Sequence, residues 1–119
     1  LNAAQFNTIV ENRLAHCRAT LTTKGDEYSR GGDRLWNFKR AAMKQGLTPA
    51  EALLGMKAKH DVSIDDIVDR LHCGAVPAEM VAEKITDSIN YLLLLEGVIE
   101  EQRCGQVVGD SDPWQEVSE

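Results

Sequence analysis

Hydrophobic side chains recur every three or four residues along most of this chain, the spacing that lines one face of an α-helix. Phe6, Val10, Leu14, Cys17 and Leu21 follow it and predict a first helix over residues 4–21. Thr22-Thr23-Lys24-Gly25 then weakens the helix, because β-branched residues and glycine are poor helix formers. The polar residues 26–32 read as a loop or broken turn. Asp33 reads as the N-cap of a short second helix over residues 34–45, which Gly46 stops.

Thr48-Pro49-Ala50-Glu51 carries a strong helix start. Threonine caps, proline takes the first helical position, and Glu51 closes a capping box. The third helix then runs to about Leu71, with Leu53, Met56, His60, Ile64, Ile67 and Leu71 along one face. Residues 72–76 form a connection, and Pro77 opens a fourth helix that continues to about Arg103. From Gly105 the periodicity dissolves. The expected architecture is all-α: a single four-helix bundle-like domain over residues 1–104, followed by an acidic, irregular tail over residues 105–119. Short links between long helices favour antiparallel neighbours.

Composition narrows the function classes. At 119 residues the chain suits one domain with one core. The net charge of −6 argues against general nucleic-acid binding, which needs a clustered basic surface. It still allows a mononucleotide held by a few local cations. No stretch approaches the roughly 18 apolar residues of a membrane span, so no membrane association is expected. The longest apolar run, Tyr91-Leu92-Leu93-Leu94-Leu95, reads as a buried helix segment. The first residues lack the basic and apolar regions of a secretory signal. Cys17, Cys73 and Cys104 show no CxxC spacing, which suits a reducing compartment such as the cytoplasm.

The fourth helix carries the clearest chemical signal. Glu83, Asp87 and Asn90 share one face, with Lys84 and Tyr91 on the adjoining stripe. Asp87 sits between Ile85 and Ile89, where an unpaired carboxylate would cost several kcal/mol. A local Lys84–Asp87 ion pair is one solution. A hard-cation site, completed by Asn90 or water, is the other. On the third helix Lys59, Ser63, Asp66 and Arg70 form a stripe beside His60, and Asp66 facing Asp87 would make a magnesium-binding carboxylate pair. His60, flanked by Met56 and Ile64, reads first as a core histidine. Lys24, Tyr28, Arg34 and Asn37 form a third group, with cations for an anion and an aromatic ring for a base.

Taken together, Lys24-Gly25-Asp26-Glu27-Tyr28, Asp33-Arg34-Leu35-Trp36-Asn37-Phe38, Lys59-His60-Asp61-Val62-Ser63-Ile64-Asp65-Asp66 and Glu83-Lys84-Ile85-Thr86-Asp87-Ser88-Ile89-Asn90-Tyr91 resemble small phage-encoded proteins of the nucleotide modification associated type. More distantly they are similar to MazG-like and dimeric dUTPase-like all-α nucleoside triphosphate pyrophosphatases. The likeness covers roughly residues 21–100. Those pyrophosphatases bind magnesium through ExxE and ExxD pairs and hydrolyse between the α- and β-phosphates. Asp87 matches the Asp of the second motif, but Lys84 stands where its Glu is expected, with Glu83 one place off. No clean ExxE occurs on the third helix. The resemblance also implies a homo-oligomer, placed in the host cytoplasm if the protein is phage-encoded.

The expected function is therefore nucleotide binding, with Mg²⁺-dependent hydrolysis as its catalytic form. In that form Asp87, Glu83 and Asp66 are the catalytic residues, and Glu27, Glu83 and Asp87 hold the metal. Lys24, Tyr28, Arg34, Asn37, Lys59, His60, Asn90 and Tyr91 bind the nucleotide. The alternatives are a non-catalytic binder that sequesters a nucleotide or cyclic-nucleotide signal, and an interaction module using the acidic tail and Trp114.

Overall fold

The computed structural model describes residues 1–106, and these form four α-helices. They are α1 (Ala3–Tyr28), α2 (Trp36–Gln45), α3 (Pro49–Leu71) and α4 (Ala78–Gln106). No strand occurs among the described residues, so the all-α, bundle-like expectation holds. The tail with Trp114 lies outside the described residues beyond Gln106.

Local chemistry fixes most of the boundaries. Thr48 and Glu51 close the expected reciprocal capping box, and Pro49 occupies the first position of α3. Asn2 and Gln5 close a second such box at the start of α1. Gly46 ends α2 in the left-handed conformation at φ 69°.

Three expectations need correction. The first helix does not fade at Leu21 but continues through Lys24 and Gly25 to Tyr28. Thr22 and Thr23 donate their hydroxyls back to the Arg18 and Ala19 carbonyls, and Gly25 is buried against a neighbouring segment, so packing overrides propensity. The second helix starts at Trp36 rather than Arg34. Gly31 and Gly32, at φ 60° and 79°, turn the chain so that Arg30 and Asp33 exchange backbone hydrogen bonds. Asp33 is therefore tied into that turn. Its side chain accepts from the Leu35 N–H and from Lys39 Nζ, and no side chain caps α2. Finally, the apolar run of α4 is not wholly buried, because Leu92 and Leu93 are about half exposed.

The core lies where α2, α3 and α4 meet. Phe38, Leu53 and Val98 are buried at its centre, with Leu35, Ala50, Met56, Tyr91, Leu94 and Leu95 packed around them. α1 joins through α4 alone among the stronger helix pairings. Arg13 donates to Thr86 Oγ1 at 3.1 Å, and Asn90 Nδ2 donates to the Cys17 carbonyl at 3.2 Å. Both partners are offset equally along the chain, so α1 and α4 run parallel. His60 facing Asp87 and Arg70 reaching Met80 make α3 antiparallel to α4. No described helix is long and apolar enough to cross a membrane.

Candidate functional site

Where the C-terminal third of α1 meets α3, α4 and the entry to α2, the side chains enclose a cavity of about 300 Å³. Its polar lining comprises Thr20, Lys24, Tyr28, Arg34, Asn37, Lys59, His60, Asp87, Asn90 and Tyr91, and Leu21, Phe38, Met56 and Leu94 supply the apolar part. Continuation of α1 past Leu21 is what builds one wall. It sets Thr20, Lys24 and Tyr28 on successive turns of a single face. The eight residues expected to contact a nucleotide all line this cavity, together with Asp87.

Three cations, Lys24, Arg34 and Lys59, share the cavity with one carboxylate, Asp87. That is a positive excess inside a protein whose net charge is −6. The Asp87 side chain is 21% exposed, and its Oδ2 lies 3.8 Å from His60 Nδ1, beyond direct hydrogen-bond length. It makes no ion pair with Lys84 among the described residues. Burial holds the His60 pKa below the ordinary imidazole range; Asp87 opposes that shift, while Lys59, Lys84 and Lys24 add to it. Tyr91 stands between His60, with ring centroids 4.6 Å apart, and Phe38, whose ring meets it edge-on at 6.1 Å. Burial, then the nearby Tyr28 and Asp87, raise the Tyr91 phenol pKa, so it is a neutral hydroxyl at physiological pH.

Several buried polar atoms of this lining have no hydrogen-bond partner among the described residues: Arg34 Nη1, Asn37 Oδ1 and Asn90 Oδ1. The Asn90 orientation is fixed by its Nδ2 bond to the Cys17 carbonyl, since a flipped amide would set oxygen against oxygen. Asn90 Oδ1 is thus an acceptor that needs an N–H or O–H donor. Arg34 Nη1 is the complementary donor. Its guanidinium is anchored at the other end, where Nη2 donates to the Leu21 carbonyl at 3.3 Å.

The acidic residues expected at the centre border different surfaces, save that Glu83 and Asp87 share one hollow. Asp66 is exposed and does not line the cavity. The antiparallel register of α3 and α4 sets it nearer the start of α4, short of Asp87. Glu83 is exposed and lines a neighbouring hollow of about 220 Å³ with His16, Thr20, Lys24, Thr86 and Asp87. Glu27 points to a third, open hollow along α1. Among the described residues no three His, Cys, Asp or Glu side chains converge to hold a metal ion. Glu83 and Asp87 border one hollow, while Glu27 borders another.

Thr20, Leu21, Phe38, Met56 and Leu94 carry no site signal in the sequence, although the first two share a helical face with Lys24 and Tyr28 once α1 is extended. No family model, curated protein or solved structure matches the chain.

Proposed function

We propose that this chain is a nucleotide-binding protein whose ligand occupies the cavity between α1, α3 and α4. The observation that carries the reading is the set of buried, unpartnered polar atoms on a cation-rich lining: Arg34 Nη1 as donor, Asn37 Oδ1 and Asn90 Oδ1 as acceptors. Leaving such groups unpaired costs about 1–3 kcal/mol each. A phosphate or base carbonyl satisfies the first, and base N–H or ribose O–H groups satisfy the others. Lys24 and Lys59 supply charge for phosphate, and the Tyr28 and Tyr91 rings supply apolar faces for a base.

Binding without turnover is the better supported form, because the acidic residues are dispersed while the binding residues converge. This ligand class is also the one that the resemblance to nucleotide modification associated and MazG-like proteins implies. Association into a homo-oligomer is part of the same proposal. Phe6, Ile9 and Leu14 of α1 and Leu92 and Leu93 of α4 leave apolar surface that a second copy would cover.

Equilibrium dialysis against a panel of nucleoside and deoxynucleoside mono- and triphosphates, with and without Mg²⁺, tests the reading. Retention of at least one nucleotide, recovered intact by chromatography, is expected. Conversion to monophosphate and pyrophosphate would replace the binder with the hydrolase. Retention of none would remove nucleotide recognition altogether.

A further inference from the structure

Gly25 is buried in α1 with ordinary helical backbone, so conformation does not require glycine there. Only proline is a poorer helix former. Space is the remaining reason. A β-carbon at position 25 would lie 2.9 Å from Arg34 Nε, 3.2 Å from Arg34 Cδ and 3.7 Å from Arg34 Cζ. Every one of those atoms belongs to the same side chain, and none is backbone. The Arg34 guanidinium thus rests against α1 at Gly25, with Nη2 on the Leu21 carbonyl one turn earlier and Nη1 buried beside the cavity with no partner among the described residues.

We propose that Gly25 is a positioning residue, whose missing side chain seats the Arg34 guanidinium so that Nη1 meets an oxygen acceptor of the bound nucleotide. The proposal rests on the nucleotide reading above and adds a residue to it. A methyl group at position 25 forces the arginine to move rather than the helix, because Arg34 is a flexible side chain on the turn preceding α2. The displaced guanidinium loses its Leu21 anchor, and the cavity loses its aimed donor. A glycine kept only for helix packing would behave differently, since its effect would not depend on what stands at position 34.

The test is a double-mutant cycle read by calorimetric titration with dATP, dCTP, dGTP and dTTP, using wild type, Gly25→Ala, Arg34→Ala and the double variant. Gly25→Ala is expected to weaken binding roughly tenfold or more, the size of one hydrogen bond to a charged group. The double variant should bind no more weakly than Arg34→Ala alone. Thermal melts provide the folding control: any loss of Tm in Gly25→Ala should vanish when Arg34 is also alanine, because the only obstructing atoms are then gone. Unchanged affinity in Gly25→Ala, a loss that adds fully to that of Arg34→Ala, or a Tm loss that persists in the double variant would each overturn the proposal. Failure of wild type to bind these four or any other nucleotide of the dialysis panel would instead remove the nucleotide reading, and this inference with it.

Discussion

Asp87 is the residue at which charge, burial and ligand chemistry meet. Its carboxylate lies 3.8 Å from His60 and lines the same cavity as Lys24, Arg34 and Lys59, with no ion pair to Lys84 among the described residues. Asp87→Ala should keep the helical circular dichroism and weaken nucleotide binding about tenfold or more, through loss of a charged acceptor. Tighter binding would show that the carboxylate only repels phosphate. His60 gives a pH signature. Its folded pKa is held below the usual value of about 6.5, chiefly by burial, so the unfolded chain takes up more protons in that window. Stability is therefore full above about pH 6.5 and is lost as pH falls towards the lowered folded value. Denaturant melts from pH 7.5 to 5 should show the decline in the unliganded protein, and His60→Gln should flatten it. The residue types of the cavity were legible in the sequence because Lys24, Arg34, Lys59, Asp87 and Asn90 are polar groups beside apolar ones. Asp66 and Glu83 looked equally good on that criterion. What separates them is the register of α3 against α4 and the rotation of α4, which no local pattern encodes.

At the scale of elements, capping chemistry was the most readable signal. Thr48, Pro49 and Glu51 form the helix start that their types demand. The Thr22–Gly25 stretch misleads for a physical reason: the threonine hydroxyls find acceptors within the helix, and Arg34 packed on Gly25 outweighs the low helix propensity. That single extension carries Lys24 and Tyr28 from a loop onto a helix face. The core that holds the site together centres on Leu53, which is fully buried between Phe38 and Val98. Leu53→Ala should cost about 2–5 kcal/mol in urea-induced unfolding. A loss below 1 kcal/mol would mean that α3 is not seated as described. Thr48→Ala should cost about 1 kcal/mol by the same measurement, through loss of the cap.

Across the whole molecule, apolar side chains of α1 and α4 stay uncovered among the described residues. α1 is anchored along α4 at Arg13, Cys17 and Asn90, while its earlier residues Phe6 and Ile9 stay about half exposed. Burying such surface drives association when a partner of matching chemistry is present. Sedimentation velocity should therefore find a species larger than the 13.2 kDa chain. The double variant Leu92→Glu, Leu93→Glu should shift it to monomer with its helical content retained. A wild-type monomer at every concentration would refute the association.

Nucleotide recognition by the cavity is the centre of the account, and a crystal structure grown with a deoxynucleoside triphosphate tests it most directly. Ligand is expected between α1, α3 and α4, with acceptor atoms within about 3.2 Å of Arg34 Nη1 and donor atoms equally close to Asn90 Oδ1. Nucleotide bound elsewhere on the protein, with those two groups still unpartnered, would contradict it.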